Sequence, residues 1–277
     1  MLHIFKRNGR RIAYDCAGRA AYPLSALAMK IVPSIEPPLT PDCPSSLRYA
    51  YAKYDSRDLS AAYAELYALY EAGLLFASAD APAEIPAHRY TALRCTAAEA
   101  VDKLTAAKAG GAEEILLTLE NAAADDPDRL AEIAGTAKVT WILQLDTDAL
   151  TEAEIESLNA RGAYVLADAA ALPSLADRGL RYLSADLPAT EDGGKTAERL
   201  AKEIDRRRRA GEEIHFAPFD AALRARADWD ASQPGCADCW AREICGGKHL
   251  SDGQPTPACA LERTLIECAA ALEAKDE

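Results

Sequence analysis

The sequence predicts an α/β protein built in three parts, and three observations carry that expectation. A hairpin-rich segment opens the chain, a regular alternation of strand-like and helix-like segments follows, and five of the eight cysteines fall in the last 42 of 277 residues. The parts are a small winged-helix-like unit at residues 1–80, an α/β layer or barrel at residues 88–220, and a Cys-rich segment at residues 230–277.

The first unit begins with three short strand-like runs, at residues 3–6, 11–15 and 20–24. Asn8-Gly9 between the first two is a strong hairpin signal, and Asp15-Cys16-Ala17-Gly18 makes the second turn. SALAMKIV then reads as helix, followed by a Pro-rich break from Pro33 to Pro44. A second helix follows in DLSAAYAELYALYEAGLLF, with Leu59, Tyr63, Leu66, Tyr67 and Tyr70 on one face. Gly73 stops it in the usual position after a helix C-cap.

Residues 81–88 read as a linker, because Pro82 and Pro86 disfavour regular structure. Beyond them the expected strands are residues 90–95, 114–119, 138–145, 163–167, 181–185 and 214–217. Helices are expected between them at residues 97–109, 126–134, 152–160, 172–177 and 195–210. Such alternation with parallel crossovers marks an α/β layer or barrel. The pairs Gly110-Gly111 and Gly193-Gly194 read as turns.

Charge and composition exclude some functions. Lys plus Arg is 31 and Asp plus Glu is 44, giving 31 − 44 = −13, a poor balance for binding nucleic acid or an anionic membrane. No run approaches the ~18 apolar residues a membrane span needs. The start, MLHIFKRNGRRIAYD, has no apolar core of signal-peptide length. Cysteines at metal-ligand spacing without a secretion signal point to a reducing, cytoplasmic setting.

Cys236, Cys239, Cys245 and Cys259 form C-x2-C-x5-C-G-G-x11-C. A C-x2-C pair puts two thiolates on one tight turn, and two more sulfurs complete four-fold coordination of one centre. Symmetrical zinc ribbons carry two such knuckles, and only one is present, which favours an iron–sulfur cluster with zinc as the alternative. Buried free cysteines or disulfides are the non-metal reading.

That stretch also resembles a family. CADCWAREICGG followed by ACALERTLIECAAALEA is similar to the C-terminal SPASM segment of radical S-adenosylmethionine (SAM) peptide maturases, in particular those acting on six-cysteine (SCIFF) precursors to form thioether cross-links. The resemblance implies that Cys236, Cys239, Cys245 and Cys259 hold one auxiliary [4Fe–4S] cluster. A second auxiliary cluster takes a cysteine shortly after the Gly-Gly pair, but here Gly246-Gly247 is followed by Lys248 and His249. Cys268 matches a further family cysteine without evident partners. HIFKRNGRRIAYD and LYEAGLLF resemble the family's N-terminal PqqD-like domain, which recognises the precursor's leader peptide. The physics of that recognition is strand addition to an exposed edge. The implied edge is Arg19, Ala20, Ala21, Tyr22, Pro23 and Leu24, with Tyr63, Leu66 and Tyr70 as the other wall, although such residues at helical spacing are more often core. The six middle strands are similar to the partial (β/α)6 barrel of radical SAM enzymes.

One family feature is missing. Radical SAM chemistry needs three cysteines, usually C-x3-C-x2-C, after the first barrel strand, and a Gly-Gly-Glu-like turn after the second. Here Cys95 stands alone before TAAEAVDKL, and LTLENAAADDP has no glycine. No SAM binding or cleavage is expected of this chain alone. His3, His88, His215 and His249 sit in no metal motif. Asp146 and Asp148 could form a carboxylate pair, and read more simply as helix caps. Arg206–Arg209 reads as a solvated helix face able to attract an acidic partner.

The expected function is therefore that of a non-catalytic relative of SPASM-type maturases. It would hold one auxiliary cluster and bind the leader of a Cys-rich precursor peptide, an active radical SAM maturase, or both. A redox or peptide-modifying enzyme using the remaining cluster is the alternative from another class, and a zinc- or cluster-stabilised structural remnant is the third.

Overall fold

The computed structural model describes residues 1–76, 90–224, 236, 238–245, 249–251 and 254–274. The expected linker at residues 81–88 and the start of the Cys-rich segment at residue 230 lie outside the described residues.

The chain opens with an antiparallel sheet of β1 (Leu2–Arg7), β2 (Arg10–Asp15) and β3 (Ala20–Pro23), in the order β1-β2-β3. Asn8 and Gly9 both take positive φ, as the two-residue turn between β1 and β2 requires. Helices α1 (Ala28–Ile31), α2 (Ser45–Ala50) and α3 (Ser56–Glu71) follow. Asp55 caps α3 by accepting from the Arg57 N–H at 2.8 Å, and Gly73 at φ +71 lies just beyond its end.

This sheet belongs to two cores. Ala13 and Leu24 pack with Ile31, Leu59, Tyr63 and Leu66 from the helices of the same unit. Ile12, Tyr14 and Cys16 point the other way and join the core of the following unit. Strand periodicity of two sends alternate residues of β2 to opposite faces, so one strand serves both.

The second unit is a six-stranded parallel sheet of β4 (Tyr90–Thr96), β5 (Glu114–Glu120), β6 (Lys138–Gln144), β7 (Tyr164–Leu166), β8 (Tyr182–Ser184) and β9 (His215–Phe216), in sequential order. Between them run α4 (Ala97–Ala109), α5 (Asp126–Ala134), α6 (Glu152–Arg161), α7 (Leu172–Asp177) and α8 (Glu191–Arg209), and α9 (Ala217–Arg224) follows β9. Ile115, Leu117 and Leu119 are fully buried on one face with residues from all five connecting helices. The other face carries a smaller cluster of Ile142, Tyr164, Leu166 and Ala217.

The sheet curls. Arg94 on β4 donates to Asp186, just past β8, at 3.0 Å and to Glu120 at 2.8 Å. Four ladder spacings of about 4.8 Å would hold β4 and β8 about 19 Å apart in a flat sheet, beyond the reach of one arginine.

The remaining described elements are α10 (Arg242–Cys245), the paired strands β10 (Leu250–Ser251) and β11 (Gln254–Pro255), and α11 (Pro257–Glu273). Helix α11 packs on α8 and α9 and touches all three strands of the N-terminal sheet. Among the described residues no helix is long and apolar enough to cross a membrane.

Three local expectations are corrected. Gly193-Gly194 lies inside α8, which starts a turn early because Thr190 accepts from the Gly193 N–H at 3.3 Å. A Cβ on Gly193 would fall 1.9 Å from the Pro188 carbonyl oxygen, so glycine is required there by close backbone approach. Arg206–Arg209 is not a uniformly solvated face: Arg207 is 5% exposed and pairs with Asp177, Glu203 and Glu212. Asp146 and Asp148 do not cap α6. Thr151 does, accepting from the Glu154 N–H, whereas Asp146 accepts from the Asp148 N–H within its own turn.

Candidate functional site

Strand β3 is the edge expected to receive a peptide, and its register shows which groups face outward. Leu24 N–H donates to Arg11 O at 2.7 Å. Hydrogen-bonded pairs alternate along an antiparallel ladder, so with pairs Ala13–Tyr22 and Asp15–Ala20 in the same set, Ala21 and Pro23 face away from β2. Pro23 has no N–H, which leaves Ala21 as the outward donor of this stretch. Among the described residues no further strand pairs with β3. Arg19 is buried and donates to Arg224 O at 3.3 Å, which ties the start of the edge to α9.

The expected opposite wall is absent. Tyr63 and Leu66 are 2% and 0% exposed and close the core of the N-terminal unit. The Tyr63 hydroxyl donates to Thr40 O at 2.9 Å, so its polar end is also engaged inside. Tyr70 is half-buried against the same core. The reason is the helical spacing: the α3 face that the three share is the face that covers the sheet.

The Cys-rich segment is built from short pieces. Cys239 N–H donates to Cys236 O at 3.0 Å, closing the C-x2-C turn. Cys245 ends α10, its N–H bonded to Ala241 O at 2.9 Å. Cys259 lies in the first turn of α11, and its thiol donates to His249 O at 3.4 Å. Thr256 donates to the same carbonyl at 2.6 Å, while His249 Nε2 lies 3.4 Å from Glu262. None of the four is in a disulfide; Cys236 and Cys245 are buried and Cys239 and Cys259 half-buried. Gly246, Gly247 and Lys248 lie outside the described residues.

These four residues fit a metal centre in donor chemistry and in the closed C-x2-C turn. Burial raises the Cys236 thiol above its ordinary range, and the charges of Cys239 and Cys259 push it the same way. That mutual effect is what a cation among them would relieve. The described side chains do not converge fully: among the described residues no group of three or more His, Cys, Asp or Glu is drawn together closely enough to hold a metal ion.

The other cysteines have different surroundings. Cys268 is 1% exposed in α11, and burial pushes its thiol up to about 12. Cys95, next to last in β4, lies beside Leu119 on the helix-covered face, with its thiol raised by burial. Strand β4 passes into α4 with no loop between, and Thr96 N–H donates to Glu99 at 3.2 Å as the helix starts. Buried and neutral, these two thiols are poor nucleophiles.

Two further groupings were not evident from the sequence. Trp240, next to Cys239, stacks on His3 with ring centres 3.9 Å apart and planes within 6°. Tyr14, the cross-strand partner of His3, lies edge-on to Trp240 at 6.4 Å. On the opposite face of the parallel sheet, Tyr164 donates to Asp220 at 2.7 Å, and His215 stacks on Tyr182 with its Nδ1 4.0 Å from Asp220. Burial pushes the Asp220 carboxyl above its ordinary range. A tryptophan following a C-x2-C pair and a histidine in a strand were the only signals available for the first grouping.

Comparison of the chain with models of protein families finds no match, and comparison with curated proteins finds none either.

Proposed function

We propose that this chain is a non-catalytic relative of SPASM-type peptide maturases. In this reading residues 1–80 are a PqqD-type recognition element, residues 88–220 a degenerate partial (β/α)6 barrel and residues 230–277 a SPASM-like segment. Cys236, Cys239, Cys245 and Cys259 hold one [4Fe–4S] cluster, which when bound supplies a one-electron centre and a rigid crosslink between the C-x2-C turn and α11. The leader of a Cys-rich precursor adds as a strand beside β3, and an active radical SAM maturase supplies the chemistry.

The observation that carries the reading is the edge of β3. Ala21 presents an outward N–H, in register with Tyr14, on the sheet that also touches Trp240 of the cysteine turn. Main-chain pairing supplies affinity there. Sequential strand order and the Arg94–Asp186 pair across the curled sheet support the barrel-like part. The direct passage of β4 into α4, with Cys95 buried, supports a chain that does not cleave SAM by itself.

The experiment is calorimetric titration of the full chain with the leader of a Cys-rich precursor peptide. Ala21→Pro removes the outward donor while sparing the ladder to β2, and the expected loss is at least about tenfold in affinity, the effect of one hydrogen bond and the altered edge. Equal binding by the variant, with unchanged circular dichroism, contradicts the edge model.

A further inference from the structure

The N-terminal sheet docks on the rest of the molecule through two sets of contacts that share His3. The first is ionic. His3 Nε2 lies 2.9 Å from Glu267, Arg7 donates to Glu267 at 2.8 Å and pairs with Glu198, and Arg10 lies 3.3 Å from Asp205 and donates to Ala271 O at 2.7 Å. These partners lie on α8 and α11, long helices that need nothing from the cysteine turn. The second set is aromatic and belongs to that turn. Trp240 follows Cys239 directly, stacks on His3 and meets Tyr14 edge-on. Tyr14 is the cross-strand partner of Ala21, whose N–H faces outward on β3.

The segment that carries Trp240 has little stability of its own. Helix α10 spans four residues and β10 and β11 two each, all far below the length at which a helix or hairpin holds in water. Metal binding to such a segment contributes its folding free energy. The position of Trp240 therefore depends on whether its neighbouring thiolates are fixed.

We propose that filling the four-cysteine centre with metal is transmitted through Trp240 and His3 to the N-terminal sheet, so that the β3 edge is held firm only when the centre is loaded. This rests on the reading of Cys236, Cys239, Cys245 and Cys259 as ligands of one centre. The ionic contacts keep the sheet docked in both states, and the Trp240 contact sets how often β2 and β3 open. Peptide affinity at the edge then follows metal loading, because a frayed strand is a poor template for strand addition.

The test uses the full chain, stripped with a chelator or reconstituted anaerobically with ferrous iron and sulfide. Loading is read by absorbance and by metal analysis. Hydrogen exchange is read in peptides covering residues 12–24. Reconstitution is expected to slow exchange there at least about tenfold. Trp240→Ala is expected to load iron as the parent does and to lose that slowing, whereas Trp240→Phe, which keeps an aromatic ring against His3, is expected to retain most of it. Loading without any change of exchange in the parent chain overturns this inference and leaves the cysteine centre standing. Full slowing in Trp240→Ala also overturns it. Failure to load any metal, with iron and sulfide or with zinc alone, overturns the centre and this inference together.

Discussion

Gly193 and Gly194 are neighbours in one helix, and the structure gives their replacement by alanine opposite signs. A Cβ at Gly193 would sit 1.9 Å from the Pro188 carbonyl oxygen and 3.0 Å from its carbonyl carbon, both backbone atoms that cannot rotate away. The helix start must shift outward, which costs about 1–3 kcal/mol by the usual scale for overpacking. A Cβ at Gly194 meets only Thr264 Oγ1, at 3.9 Å, an ordinary contact. There the substitution brings the helix-propensity gain of alanine over glycine, about 0.5–1 kcal/mol. The pair should therefore differ by about 1.5–4 kcal/mol. The assay is thermal unfolding of the full chain, in which 1 kcal/mol moves the midpoint by about 2–4 °C for a protein of this size class. Gly193→Ala should melt below the parent and Gly194→Ala at or above it. A neutral Gly193→Ala, or two shifts of the same sign and size, would show that the start of α8 is misassigned.

Two other outcomes follow from single sites. Glu203 is held down to about 2 by its hydrogen bonds from Arg206 and Arg207 against a smaller opposing effect of burial. A depressed carboxyl contributes stability above its unfolded value, about 4.3, and that contribution is lost as pH falls toward its folded value. Glu203→Gln should flatten the acid limb of the stability profile in that window, and an unchanged limb would count against the Arg206–Arg207 clamp. The chain alone, reconstituted and supplied with SAM and dithionite, should form no 5′-deoxyadenosine beyond a nonenzymatic trace. Multiple turnovers that survive Cys95→Ala would place SAM chemistry away from the end of β4.

The parts legible in the sequence are those fixed by local periodicity. Asn8-Gly9 marks the first hairpin because both residues tolerate positive φ, and the apolar runs at residues 114–119 and 138–145 mark central parallel strands. Features set by contacts across the chain were not legible. Gly193-Gly194 reads as a turn until Pro188 is seen against it, and four consecutive arginines give no sign that Arg207 alone turns inward to three carboxylates. Tyr63, Leu66 and Tyr70 share a helix face, but spacing cannot say whether that face covers a core or a ligand. The docking of β1 on α11 joins His3 to Glu267, residues 264 positions apart, which no local pattern encodes. The four cysteines are legible as a donor set for the same reason that hairpins are: the C-x2-C turn is local. How far the four converge depends on how the C-x2-C turn meets the first turn of α11, which no local pattern encodes.

The most direct test of the central claim is anaerobic purification of the full chain, reconstitution with iron and sulfide, and analysis for iron, sulfide and zinc beside the Cys239→Ala variant. The account predicts about four irons and about four sulfides per chain, as a single [4Fe–4S] cluster requires, with loading lost in the variant. Stoichiometric zinc without sulfide would replace the cluster by a zinc site, and iron loading unaffected by Cys239→Ala would contradict the assignment of the four-cysteine centre.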